Sequence, residues 1–190
     1  MPAAPLILAS ASPRRLDLLR QIGIEPEAVD PAELDETPLP HELPRDYALR
    51  MAEAKHAAVA PRHSGRLVLA ADSVVAVGRR ILPKAEQEEE ARACLALLSG
   101  RRHRVLGGVA IGIGNGGKVR TRLVETVVRF KRLEASEIDA YIQGGEWRGK
   151  AGGYAIQGAA ATFVAFISGS YSNVVGLPLF ETAQLLKSLR

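Results

Sequence analysis

The sequence predicts an α/β fold, and three stretches carry that prediction. Leu6–Gly23 reads as strand, loop and helix. Leu67–Val77 is apolar on both alternating faces, as in a central strand covered on both sides, and is broken only by Asp72 and Ser73. Val105–Ile113 and Val119–Phe130 flank Gly114-Asn115-Gly116-Gly117, a strong hairpin signal. The 190 residues suit one domain, 1–190, with a substantial core. No internal repeat, low-complexity segment or composition shift divides it.

Leu6, Ile7 and Leu8 form the first strand. Ser12 then stands at a helix N-cap, and Pro13 at the first helical position, where its missing N–H costs nothing. Leu16, Leu19 and Ile22 recur at helical spacing, and Gly23 is a C-terminal stop. Arg14 and Arg15 fall in the first turn, at the helix end that favours anions. Free backbone N–H groups, two guanidiniums and the hydroxyls of Ser10 and Ser12 together suit an oligophosphate. A solvated arginine pair beside a capped helix fits the segment equally well.

The Pro-, Asp- and Glu-rich stretch up to Pro44 reads as an extended strand running into an exposed loop, most acidic at Asp35-Glu36. Arg45–Val59 is helical by periodicity. The steps 48, 52, 55, 59 put Lys55 on the apolar face, where its ammonium must either snorkel to water or meet a partner. In the strand that follows, Asp72 must be paired, hydrogen-bonded or metal-bound to stay charged, which favours a functional role.

Gly78-Arg79-Arg80 turns the chain, and Pro83-Lys84 precedes a helix from about Glu86 to Leu98 with acidic residues in its first turn. Arg101, Arg102, His103 and Arg104 enter the hairpin as a basic cluster, suited to a solvated rim or to attracting polyphosphate. Val124, Thr126, Val128 and Phe130 alternate with Glu125 and Arg129, as in a half-exposed strand. Ser136 is placed to cap a short helix ending near Gln143. The glycine-rich span Gly144–Ala160 contains Lys150, Tyr154 and Gln157, and lets backbone approach a ligand closely. Phe163–Ile167 is a further strand, Gly169–Asn173 a polar loop, and Leu177-Pro178 opens a terminal helix.

A hydrophobic content of 47% with 24% charged residues is that of a globular chain rather than a disordered one. The net charge of +4 suits an anionic ligand. No basic tract with interleaved aromatics accompanies it, and four Phe, four Tyr and one Trp poorly supply a base-stacking platform, so no nucleic-acid partner is expected. The single cysteine, Cys94, excludes an intrachain disulfide, points to a reducing compartment and sits on a leucine-rich helix as a core residue would. No apolar run reaches the length of a membrane span. Ala9-Ser10-Ala11 imitates a signal-peptidase site but lacks a basic region before it, so a cytoplasmic protein is expected.

The sequence contains no P-loop, paired-cysteine zinc pattern or histidine pair at ligand spacing, and Gly112-x-Gly114 lies in a hairpin rather than at a strand-to-helix turn. What remains is a set of cations on several loops (Arg14, Arg15, Lys55, Lys84) and two carboxylates able to hold a divalent metal (Glu36, Asp72). Phosphoanhydride cleavage needs such a set: cations to hold the oxygens, Mg²⁺ or Mn²⁺ to neutralise charge, and a carboxylate to activate water.

SASPRR (Ser10–Arg15), Asp35-Glu36, Ala52-Glu53-Ala54-Lys55, Ala71-Asp72-Ser73, Leu98-Ser99-Gly100-Arg101 with His103, KAGGYAIQG (Lys150–Gly158) and Gly169-Ser170-Tyr171 through Val175-Gly176-Leu177-Pro178 occur in this order. Together they cover nearly the whole chain and resemble the Maf family. The resemblance implies an elongated, mixed, twisted β-sheet flanked by helices in two lobes with a central cleft, similar to the inosine triphosphatase fold. It also implies a metal-dependent nucleoside triphosphate pyrophosphatase, with Mg²⁺ or Mn²⁺, acting as a homodimer. The KAGGYAIQG form resembles the subgroup acting on dTTP and UTP rather than on 7-methyl-GTP, with clearance of modified pyrimidine nucleotides as its role.

By the same resemblance Asp72 is the proton acceptor, and Glu36 joins it in catalysis and in holding metal. Ser10, Arg14, Arg15, Lys55 and Lys84 bind the substrate, while Arg14, Ser73 and Gln157 set specificity. The family's older description as a septum formation inhibitor implies a rival reading, a nucleotide-sensing regulator without obligatory turnover. Three positions depart from the family pattern: Ser73 replaces threonine, Leu82-Pro83-Lys84-Ala85 replaces Leu-Gly-Lys-Pro, and Gly107 replaces a frequent threonine.

Overall fold

Three long strands frame the protein: β3 (Leu67–Val77), β6 (Arg102–Ile113) and β7 (Arg120–Phe130). The computed structural model describes residues 5–189; the ends of the expected domain, residues 1–4 and 190, lie outside the described residues. β6 runs antiparallel to both β3 and β7, and the sheet continues with β9 (Val164–Ser168) antiparallel beyond β7. On the other side, β1 (Leu6–Leu8) pairs parallel with β3, and the short β2 (Ala28–Val29) pairs parallel with β1. β4 (Arg80–Leu82) folds back on the end of β3 as a hairpin. The result is a mixed seven-stranded sheet, accompanied by a two-stranded ribbon of β5 (Lys84–Ala85) and β8 (Lys150–Ala151).

Helices cover both faces. On one, α2 (Pro44–Val59) packs Tyr47, Ala48 and Met51 against Val74, Ala76 and Leu106, and Val59 against Ile7 and Val68. On the other lies the main core, formed by α1 (Pro13–Gln21), α3 (Glu88–Leu98), α4 (Ala135–Gly144) and α6 (Leu179–Lys187) over the sheet. Alternation along β3 divides its side chains between the two: Leu67, Leu69, Ala71 and Val75 enter the main core, while Val68, Ala70, Val74 and Ala76 face α2. No helix of the described residues is long and apolar enough to cross a membrane.

Interior glycines allow α2 to lie close to the sheet. A Cβ on Gly108 would stand 2.1 Å from the Ala48 carbonyl oxygen. Gly107, one of the departures from the family pattern, leaves room for Asn173, whose Oδ1 would lie 1.9 Å from an added Cβ.

Local expectations and structure differ at several points. In α1 the inward stripe is Arg15, Leu18 and Leu19 rather than Leu16, Leu19 and Ile22; Ile22 is the exposed C-cap. α3 begins at Glu88, because Gln87 and Glu90 form a capping box there, which leaves Glu86 outside the helix. The cap of α4 is Glu134, again by a capping box with Glu137, and Ser136 lies in the first turn. The expected polar loop at Gly169–Asn173 winds into α5 (Tyr171–Val175), with Ser170 Oγ accepting from the Asn173 N–H. His103 leaves the basic cluster entirely: it is buried, bonded to Tyr154 at 2.8 Å and packed edge-on to Phe130. Arg102 and Arg104 are exposed, on Phe166 and Glu125 respectively, and none of the cluster lines the cleft described below.

Candidate active site

A gap in strand pairing opens the site. β1 pairs with β3 at Leu67–Leu69 and β4 pairs with it at Val75–Val77, both on the edge opposite β6. Among the described residues, no strand lies on that edge beside the intervening stretch with Asp72 and Ser73. Successive side chains point to opposite faces, so Asp72 turns toward α2 and Ser73 toward α1 and α5.

α2 meets Asp72 with Lys55. The ammonium lies 2.6 Å from Asp72 Oδ1 and 2.6 Å from Glu36 Oε1, with Lys55 6% and Asp72 3% exposed. The helical spacing that places Lys55 on the buried face therefore serves an ion pair rather than snorkelling. Glu36 arrives on the long loop between β2 and α2, and its second oxygen accepts from Lys84 of β5. Burial alone would raise the Glu36 carboxyl, but hydrogen bonds from Lys55 and Lys84 outweigh it and hold it below the usual carboxylate range. Tyr47, also on α2, donates its hydroxyl to the Glu36 carbonyl at 2.6 Å.

On the opposite face Arg15 is 8% exposed. Its guanidinium donates to the Gly176 carbonyl at 2.9 Å, to Ser10 Oγ at 2.8 Å and to Ser73 Oγ at 3.2 Å. Burial lowers its pKa, partly offset by the charges of Asp72 and Glu36. Arg15 thus ties the loop after β1, strand β3 and the end of α5 together, and three of its five N–H groups are committed. Arg14 is half-buried and has no ion-pair partner among the described residues; burial, then repulsion from Arg15, lowers its pKa. It is the cation of the first helical turn that remains available to a ligand.

Arg14, Arg15, Glu36, Lys55, Asp72 and Ser73 line one cleft of about 650 Å³, together with Ser10, Lys84, Arg148, Lys150 and Gln157. Every expected site residue (Ser10, Arg14, Arg15, Glu36, Lys55, Asp72, Ser73, Lys84 and Gln157) lies on its wall. The glycine-rich span supplies the far side: β8 pairs with β5, so Lys150 and Lys84 sit on the same ribbon. Lys150 donates to the Arg148 carbonyl at 2.8 Å, and its pKa is lowered by burial and by Arg14. Gln157 is exposed on the cleft wall.

Glu36 and Asp72 already share one cation, the Lys55 ammonium. No group of three or more His, Cys, Asp or Glu side chains placed to hold a metal ion occurs among the described residues. The protein therefore offers two carboxylate ligands, a set that fits Mg²⁺ or Mn²⁺ completed by substrate phosphates and water and does not fit a fully caged ion.

Four features escape the sequence reading. Tyr47 carried a signal, since 47, 51 and 55 follow the i, i+4 spacing that places Lys55 inward. Gly108 sits in a strand interior, where glycine marks a close approach. Arg148, stacked 4.7 Å over Trp147, and the Gly176 carbonyl gave no local signal.

The family described as Maf-like protein matches residues 5–189. The dTTP/UTP pyrophosphatase of Paramagnetospirillum magneticum is 67% identical over 183 residues, 96% of each chain. That of Caulobacter vibrioides is 60% identical over 190 residues, 100% of this chain and 98% of the relative. Among solved structures, a HAM1 protein from Coxiella burnetii aligns with a TM-score of 0.55 over 97% of this chain and 99% of its own, at 16% identity, a likeness of fold alone. With the sheet, the cleft and these matches in agreement, the chain belongs to the Maf family.

Proposed function

We propose that this protein is a nucleoside triphosphate pyrophosphatase that converts dTTP and UTP to the monophosphate and pyrophosphate. The observation that carries the reading is the Glu36–Lys55–Asp72 cluster at the wall of a cleft rich in cations. The names of the relatives at 60% and 67% identity support the substrate class.

Arg14, Lys55 and Lys84 hold the triphosphate oxygens, with Ser10 and Arg15 shaping the loop beneath them. Lys55 meets Asp72 through Oδ1 in the free protein, and Oδ2, which no lysine contacts, is the basic atom. As water attacks the α-phosphorus, its proton passes to Oδ2. The bond from the α-phosphorus to the bridging oxygen breaks, and its electron pair leaves with pyrophosphate. When the triphosphate draws Lys55 and Lys84 to its own oxygens, the Glu36 oxygens and Asp72 Oδ1 that they now meet would hold a divalent cation, Mg²⁺ or Mn²⁺, which would supply charge neutralisation at the phosphate oxygens. Gln157 presents both an amide donor and an acceptor to the base, and Ser73 and Arg14 complete the specificity wall.

Pyrophosphate release across dTTP, UTP, CTP, 5-methyl-UTP and 7-methyl-GTP, with Mg²⁺, Mn²⁺ or chelator, tests this. Metal-dependent release from dTTP and UTP is expected, with a loss of at least about 100-fold in Asp72→Asn, the order of a general-base contribution. Full turnover in a folded Asp72→Asn variant refutes the assignment of the base. Micromolar nucleotide binding without turnover in the wild type would instead establish a sensor.

A further inference from the structure

The loop between β2 and α2 brings Glu36 into the cleft with no secondary structure of its own. A segment of this kind samples many conformations unless its backbone is tied down. Two ties come from the side chain of Glu36 itself, to Lys55 and Lys84, and both lysines are cations that a triphosphate would compete for. Two main-chain ties are independent of any ligand: a longer bond from Arg50 reaches the Thr37 carbonyl at 3.4 Å, and the Tyr47 hydroxyl donates to the Glu36 carbonyl at 2.6 Å.

Tyr47 is suited to hold that bond. It is 7% exposed, packed on α2 with Ala48 and Met51 against the sheet, and two helical steps of four residues from Lys55. A phenol keeps its proton at neutral pH, and a main-chain carbonyl can only accept, so the hydroxyl is the donor. Arg50 lies 5.3 Å over the Tyr47 ring and reaches Glu42 at 2.6 Å, pinning the far end of the same loop to the same helix.

We infer that Tyr47 is a positioning residue for the Glu36 carboxylate: its hydroxyl fixes the loop backbone, so the carboxylate stays beside Lys55 and Asp72 when substrate draws the lysines away. The inference rests on the pyrophosphatase reading for its kinetic consequence and on geometry alone for its structural one.

The test compares Tyr47→Phe, Glu36→Gln and the double variant. Tyr47→Phe keeps the ring and removes only the donor. It is expected to lower kcat about 3- to 10-fold, the worth of one hydrogen bond, with KM for dTTP little changed. If Tyr47 acts through Glu36, the double variant is no slower than Glu36→Gln alone. A further loss in the double variant equal to that of Tyr47→Phe alone overturns the inference, as does wild-type kcat in Tyr47→Phe. Full activity in Glu36→Gln refutes the role of Glu36 instead.

Hydrogen exchange supplies a readout that needs no turnover. Amide exchange in residues 33–38 is expected to quicken about 3- to 10-fold in Tyr47→Phe, with the α2 amides unchanged. Unchanged exchange in the loop overturns the inference whatever the protein hydrolyses.

Discussion

Replacing Lys55 by methionine tests the centre of the site most sharply. Met keeps the length and apolar volume of the stem and removes the ammonium that lies 2.6 Å from both Asp72 and Glu36. Asp72, 3% exposed, is left without its partner, and breaking a buried pair in this way costs about 3–5 kcal/mol. Glu36 adds under about 1 kcal/mol, because its side chain is 30% exposed and can turn to water. For a chain of this length each kcal/mol lowers the melting midpoint by about 2–4 °C, so a drop of about 6–24 °C is expected. Thermal unfolding followed by circular dichroism measures it. Adding Asp72→Asn removes the stranded charge and should restore more than half of the loss. The reasoning fails if Lys55→Met melts within about 2 °C of wild type, or if the double variant loses the sum of the two single effects.

Gly108→Ala would drive a Cβ into the Ala48 carbonyl, 2.1 Å away, and force α2 off the sheet. A loss of about 1–3 kcal/mol in urea unfolding is expected, together with reduced turnover because α2 carries Lys55; Gly116→Ala, with nothing within 4 Å, should match wild type in both. Burial pushes His103 down from 6.5 to about 4, so protonation favours the unfolded chain. Its contribution is therefore intact above pH 6.5 and lost as the pH falls toward 4, a change of about 3 kcal/mol. Urea unfolding of wild type and His103→Gln at pH 7, 5.5 and 4 should show the two curves converging at acid pH; a constant gap would contradict this.

Features that depend on a few neighbouring residues were legible in the sequence. Ser12, Pro13 and Gly23 bound α1, the Gly114–Gly117 turn joins β6 and β7, and β3 runs over the stretch its apolar pattern marks. The spacing 48, 52, 55, 59 put Lys55 on the packed face, and the cost of a carboxylate inside a strand singled out Asp72. Periodicity and capping are local, so a single chain segment states them.

Tertiary structure decided which of these groups meet. The stretch of β3 around Asp72 lacks a strand on one edge because β1 and β4 share that edge and stop short of each other, a matter of register between segments far apart in sequence. Arg14 and Arg15 are adjacent and chemically alike, yet helix rotation buries one among Ser10, Ser73 and Gly176 and leaves the other for a ligand. His103 sits among arginines in sequence and among aromatic rings in space, because strand alternation turns it inward opposite Val128. Local pattern sets which face a residue occupies; only packed volume and strand register set what stands opposite that face.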